Sequence, residues 1–297
     1  MYDILNRFIP ICEEQEKIEK AQKYEEIKQT LRKNLNNKAW DGRWYKRAIT
    51  DNGDTIGGID SKECKIDSLS QSWSVISGAG DNDKKFIAIE SAENYLVDTE
   101  NKIIKLFDPP FDNGEIEPGY IKDYLPGIRE NGGQYTHAAI WLIIAEAMLG
   151  FGEKAVELAQ LVCPINHSKT REDSKVFKLE PYIIPADVYS SKGLEGRGGW
   201  NWYTGAASWY YRAIVEYILG FKIRNNFMEF EPCIPKYWKE FEIKYKYKTS
   251  SYLIKVKNKG RKNTGVTRVT LDGIEIDNKK VFLEDNGKFH NIEIFLQ

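Results

Sequence analysis

The chain has no surplus of charge of either sign. Its 297 residues carry 43 Lys plus Arg against 44 Asp plus Glu, a formal net charge of −1. It lacks the cationic excess that displaces counterions from DNA or RNA, which argues against a nucleic-acid partner. Cysteine is sparse: Cys12, Cys64, Cys163 and Cys233 lie far apart with no C-x-x-C pair. That usage suits reduced packing thiols in the cytoplasm better than a disulfide framework or a zinc site. No apolar run reaches the ~18 residues of a membrane span, and the opening MYDILNRFIPICEEQEK is too polar and acidic for a secretory signal. The sequence predicts a soluble, cytoplasmic protein. There are three histidines, His137, His167 and His290, with no G-x-S-x-G, phosphate-loop lysine motif or cysteine-nucleophile context. DNGDTIGGIDSKE misses the oxygen positions of a calcium loop, so neither metal nor cofactor is expected.

Aromatic residues are plentiful, at 13% with eight Trp and 17 Tyr. Flat rings beside polar partners build cores, and they also hold the apolar faces of sugars. To about Gly220 the periodicity is helical. IEKAQKYEEIKQTLRKNL aligns Ile18, Ala21, Tyr24, Ile27 and Leu31 on one stripe, while Pro10 is expected to kink or break the segment before it. DSLSQSWSVISGAG offers Asp67 or Ser68 as an N-cap and turns Leu69, Trp73 and Ile76 inward; the next helix does the same with Phe86, Ile89 and Leu96. Six or seven helices result, separated by long loops over Trp40–Glu63, Lys105–Ile128 and Asn166–Gly199, whose aromatic content argues for function rather than disorder. Beyond Gly220 the period becomes two, with an Asp272-Gly273 hairpin signal. His290, in the last hairpin, reads as a surface residue.

Two stretches raise a chemical question. RENGGQYTHAAIWLIIAEAMLG, from Arg129, places His137 in the first turn of a helix apolar on nearly every face. GRGGWNWYTGAASWYY, from Gly196, repeats the arrangement with Thr204 and Gly205 before another helix. Free backbone N–H groups and the positive dipole end make such termini anion sites. Two of them could converge on one phosphate. The same spacing suits a hydrogen-bonded core histidine and a threonine N-cap, and spacing alone leaves both open. Asp60, Glu63, Asp67, Asp108, Glu130, Asp187 and Glu195 occupy loops or helix starts where glycoside chemistry would recruit a carboxylic acid.

The blocks WDGRWYKRA, IDSLSQSWSVISGAGD, DPPFDNGEIEPGYIKDYLPGIRENGGQYTHAAIW, PINHSKT, EPYIIPADVYS, GRGGWNWYTGAASWYYR and EPCIPKYW, in this order, resemble the C-terminal part of glycoside hydrolase family 94. These are inverting glycoside phosphorylases such as cellobiose phosphorylase, and the blocks are most similar to the phosphorylase-like region of cyclic β-1,2-glucan synthases and to 1,2-β-oligoglucan phosphorylases. The resemblance implies a mainly α fold. Residues 1–220 would form the second half of an (α/α)6 barrel, and residues 221–297 a small antiparallel β domain, a sandwich. It implies attack of inorganic phosphate, a co-substrate and not a cofactor, on a β-glycosidic bond. Phosphate binding falls to His137, Thr204 and Gly205, and sugar binding to Arg129, Glu130, Gln134, Trp202 and Tyr203.

One departure matters. The family's general acid is the aspartate of a D-W-N-D segment, and this chain has none; GAGDNDKK is a loop and helix cap. No catalytic residue is therefore expected on this chain, which reads as inactive alone. A half barrel exposes apolar flanks, so an N-terminal phosphorylase fragment or a second copy is the expected partner. A non-catalytic sugar- or phosphate-binding remnant, and an inverting hydrolase using Glu130 with Asp187, are the alternatives.

Overall fold

A computed structural model describes residues 1–277 and 279–297; Asn278, inside the expected β domain, lies outside the described residues. The chain forms two compact units, one of Met1–Ala145 with Leu161–Ala207 and one of Glu146–Gln160 with Ser208–Gln297. Among the described residues there are eight α-helices, more than periodicity predicts, and none is long and apolar enough to cross a membrane. The four cysteines are free thiols.

In the first unit, α1 (Tyr2–Glu14) and α2 (Ile18–Asn34) close a hairpin on Leu5, Ile9, Cys12 and Ala21. Pro10 does not break α1, which continues through it. Pro10 and Asn6, whose carbonyl loses its helical donor, are both exposed, so water can satisfy that carbonyl. The expected stripe of α2 is only partly inward, because Ile18 and Ile27 face solvent. On α1 a second apolar stripe, Ile4, Phe8 and Ile11, is 64, 45 and 50% exposed.

The loop after α2 carries the short pair β1 (Ala48–Ile49) and β2 (Thr55–Ile56) and is pinned rather than free. Trp44 Nε1 donates to the carbonyls of Gly57 and Lys65 at 3.0 and 3.1 Å, and the Tyr45 hydroxyl donates to Asn36 Oδ1 at 2.7 Å. Then follow β3 (Ile66–Asp67), α3 (Ser68–Ile76), α4 (Asn82–Leu96), β4 (Val97–Asp98), β5 (Ile103–Ile104) and β6 (Phe107–Asp108). Asp67 caps α3 as expected, accepting from Leu69 N at 2.7 Å. The deepest face of α3 is not the apolar stripe, however: Ser68, Gln71, Ser72, Ser74 and Val75 are buried, while Leu69, Trp73 and Ile76 are half-buried. Gln71 causes this by pairing with Tyr45, accepting from its N–H at 2.8 Å and donating to its carbonyl at 2.9 Å. Directional bonds there outweigh hydrophobic ranking. In α4, Ile89 and Leu96 are buried as expected, but Phe86 is exposed.

The strand β7 (Gln134–Tyr135) leads into α5 (Thr136–Met148), and α6 (Gly152–Leu161) follows after a tight turn. Residues 138–140 and 142–145 are at most 1% exposed, so α5 is buried on every side through that stretch, as its composition predicts. The third long loop contains a helix that periodicity misses, α7 (Arg171–Phe177), capped by Thr170, and then β8 (Asp187–Val188). The last helix, α8 (Ala206–Arg212), continues as a π-helical turn over Ala213–Ile218.

The second unit holds β9 (Phe221–Arg224), β10 (Phe227–Phe230), β11 (Glu240–Tyr247), β12 (Ser250–Lys257), β13 (Val266–Leu271), β14 (Ile274–Glu275), β15 (Val281–Phe282) and β16 (Phe289–Leu296). They form a three-stranded sheet, β15-β10-β9, and a five-stranded sheet, β11-β12-β16-β13-β14. The period-two reading holds, with Ser250, Tyr252, Ile254 and Val256 buried in alternation. Asp272 and Gly273 form the expected turn at φ 50° and 87°. Two expectations change. The β12–β16 pairing is parallel, so the larger sheet is mixed rather than purely antiparallel. His290 is buried rather than superficial, stacked on Tyr252, with Nδ1 2.8 Å from Asp272 Oδ2, because β16 is a central strand.

Burial raises the Asp67 carboxyl to about 6, against the opposing effects of Arg47 and the Leu69 and Ser70 N–H groups. Its neutral form is the one the fold favours, so stability from this group is complete below the ordinary carboxylate range. It is lost as pH rises towards 6. Asp67→Asn keeps the cap oxygen and removes the charge. Chemical denaturation should find the variant gaining on the wild type by about 2 kcal/mol between pH 4 and pH 7; a constant difference would contradict the assignment.

Candidate functional site

The site grows from three short extended segments in the first unit. β7 pairs with β8, placing Gln134 opposite Val188 and Tyr135 opposite Asp187, and Val188 bridges in turn to Gly198. Thr136 N donates to Ala186 O at 2.9 Å, Ala186 N to Trp200 O at 2.7 Å, and Gly199 N to Asp187 O at 2.9 Å. The first segment runs into His137 and the third into Thr204 and Gly205, so the middle one joins the two stretches singled out above.

His137 is the second residue of α5. The turn before it is held by Asn131, whose side chain exchanges two 2.8 Å hydrogen bonds with the Phe111 backbone and donates to Tyr124 O. The imidazole stacks on Tyr135 with centroids 5.6 Å apart and lies 6.1 Å from the Trp141 ring, which meets Trp73 edge to face. Its Nε2 approaches Gly205 so closely that a Cβ added there would sit 3.1 Å away. Nδ1 is buried without a hydrogen-bond partner among the described residues, so His137 is not a satisfied core histidine. Burial lowers its pKa from the ordinary value. Thr204 Oγ1 accepts from Ala206 N at 3.1 Å, an N-cap contact that leaves the hydroxyl proton free to donate elsewhere. The structure thus brings His137, Thr204 and Gly205 together.

The residues expected to hold sugar divide. Arg129, in a left-handed conformation at φ 49°, lies over the Tyr124 and Trp200 rings at 5.4 and 5.9 Å. Glu130 Oε2 is buried and unpartnered. Trp202 and Tyr203 are open to solvent. Gln134 is different: it is fully buried, and its Oε1 accepts from Ile104 N at 2.9 Å, so it braces the chain beneath the site. The other carboxylates also sort by partner. Glu63 accepts from Asp112 N and Gly114 N, Asp108 pairs with Lys105, and Glu195 accepts from Gly193 N. Asp187 Oδ1 accepts from Trp200 N at 2.8 Å, whereas Oδ2 is buried and unpartnered like Glu130 Oε2. Burial raises the Asp187 carboxyl, with Glu130 adding to the effect and Trp200 N–H and Arg129 opposing it. Sequence reasoning named Asp187 only as a hydrolytic partner for Glu130; its bond to Trp200 has no local signature. His167 has no part here, being stacked on Phe177 and 3.0 Å from Leu161 O, with burial lowering it to about 4.

Residues 1–220 match the catalytic domain of the Glycosyl hydrolase 94 superfamily, and the chain belongs to that superfamily. Over 265 residues, 89% of the chain, it is 37% identical to a cyclic beta-(1,2)-glucan synthase, NdvB, of Rhizobium meliloti, covering 9% of that protein. It is 28% identical to the solabiose phosphorylase of Paenibacillus borealis over 91% of the chain and 34% of the relative. With the N,N'-diacetylchitobiose phosphorylase of Vibrio proteolyticus the identity is 28% over 93% of the chain and 34% of the relative. The chain therefore spans about a third of these phosphorylases.

Because burial is what lowers His137, its ring should titrate below the ordinary histidine value in an NMR pH series, and Tyr135→Ala, which uncovers one face, should move it upward. Titration at or above the ordinary value in the wild type would contradict this environment.

Proposed function

We propose that this chain is the C-terminal portion of an inverting β-glucoside phosphorylase, the second half of an (α/α)6 barrel, and that it binds the orthophosphate that attacks a β-linked glucooligosaccharide. The observation that carries this reading is the approach of Gly205 to His137 Nε2. A neutral imidazole N–H, the Thr204 hydroxyl and the Gly205 backbone N–H can then donate to one anion. Superfamily membership and the names of the relatives support the reaction class. The name of NdvB supports β-1,2 linkages.

A phosphate oxygen forms the new bond to the anomeric carbon from the face opposite the breaking glycosidic bond, giving α-glucose 1-phosphate. The leaving oxygen needs one proton. Phosphate takes the place of the water and base of an inverting hydrolase, so a single carboxylic acid suffices. In this reading it comes from the D-W-N-D part of the domain, which this sequence does not contain. The exposed Ile4, Phe8 and Ile11 stripe supports a further polypeptide surface covering α1, as the other part of such a barrel would. Arg129, Glu130, Trp202 and Tyr203 would meet the sugar.

Mixing the chain with a fragment carrying D-W-N-D, a β-1,2-glucooligosaccharide and orthophosphate should yield α-glucose 1-phosphate, and His137→Ala should cut the rate by roughly 10²-fold or more. No sugar phosphate in the complemented mixture would overturn the proposal. Reducing sugar released without orthophosphate would instead favour hydrolysis by Glu130 with Asp187.

A further inference from the structure

Asp187 stands between the two halves of the candidate anion site and belongs to neither. It lies on the middle of the three extended segments, directly opposite Tyr135, two residues before His137. On the other side, its Oδ1 accepts from Trp200 N at 2.8 Å, four residues before Thr204. The carboxyl lies directly over Gly199, where an added Cβ would fall 2.4 Å from Oδ2 and 2.5 Å from Oδ1. A β-carbon at 199 would require the Asp187 carboxyl to shift away from the third segment. Asp187 is 1% exposed, and burying a carboxyl has a cost that an ordinary packing residue would avoid.

We propose that Asp187 is a positioning residue: its carboxyl fixes the Trp200–Gly205 segment against the strand that ends in His137, and so sets the contact between the imidazole and Gly205. The proposal rests on the phosphate reading for its purpose, but not for its geometry. The same bond explains how Thr204 and Gly205, on a segment whose neighbours Trp202 and Tyr203 are solvent-exposed, hold a fixed place. The charged and titratable groups acting on this corner are Arg129, Glu130 and Tyr135, with Tyr120 acting on Tyr135. An amide oxygen can accept from Trp200 N as Oδ1 does, so asparagine keeps the bond that alanine removes.

The test compares wild type, Asp187→Ala, Asp187→Asn and, as a control for general destabilisation, Leu5→Ala in the α1–α2 hairpin. Two readouts are used on the full chain: the NMR proximity of the His137 ring protons to the Gly205 α-protons, and calorimetric affinity for orthophosphate. Asp187→Ala should abolish the proximity signal and weaken orthophosphate about tenfold, the equivalent of one lost hydrogen bond. Asp187→Asn should retain the signal and bind within about threefold of wild type. Leu5→Ala should lower the melting temperature and change neither readout. The proposal is overturned if Asp187→Ala keeps the signal, if Asp187→Asn loses as much as Asp187→Ala, or if Leu5→Ala loses the signal too. If the signal behaves as expected but wild type binds no orthophosphate, the positioning role stands and the phosphate reading fails.

Discussion

Between the imidazole of His137 and the backbone at Gly205 there is little room for a side chain. An added Cβ would sit 3.1 Å from Nε2 and 3.8 Å from Cε1, closer than carbon packs without displacing its neighbour. Two segments far apart in sequence are therefore held at backbone-to-ring distance. The rings of Tyr135 and Trp141 pack on the imidazole, Trp73 backs Trp141, and the β7–β8 pair leads directly into α5. The remaining features of the site follow from keeping that separation.

The electrostatics are consistent with a site made for an anion by directed donors rather than by net positive charge. His137 is held towards its neutral form by burial, and Arg129 is close to two carboxylates, Glu130 and Asp187. A cation so placed offers little net attraction, so in the proposed reading anion recognition would rest on N–H and O–H groups aimed at fixed points. Neutral donors at short range also discriminate by geometry, which suits a reaction in which phosphate and not water must reach the anomeric carbon. A glucoside alongside would find the Arg129 guanidinium flattened over Tyr124 and Trp200, and exposed rings at Trp202 and Tyr203.

Much of this was legible in the sequence where the signal is local. The Asp67 cap, the Asp272-Gly273 turn, the apolar α5 and the change to period two after Gly220 each depend on residues a few positions apart, and each is present. The failures share the opposite property. The polar burial on α3 is set by Gln71 gripping Tyr45 across 26 residues, and the buried His290 finds its partner Asp272 across 18. Gln134 accepts from Ile104 N, 30 residues earlier, a bond with no local signature. Asp187 acts through Trp200 N, 13 residues on. No period or motif encodes such pairings. Pro10 leaves α1 unbroken for a simpler reason: a proline is tolerated in a helix where the carbonyl it strands faces water.

The most direct measurement is a crystal structure of the chain grown or soaked in orthophosphate. The account predicts one phosphate within hydrogen-bonding distance of His137 Nε2, the Thr204 hydroxyl and the Gly205 N–H together. Phosphate bound only elsewhere, or His137 and Gly205 found apart with no anion between them, would contradict it.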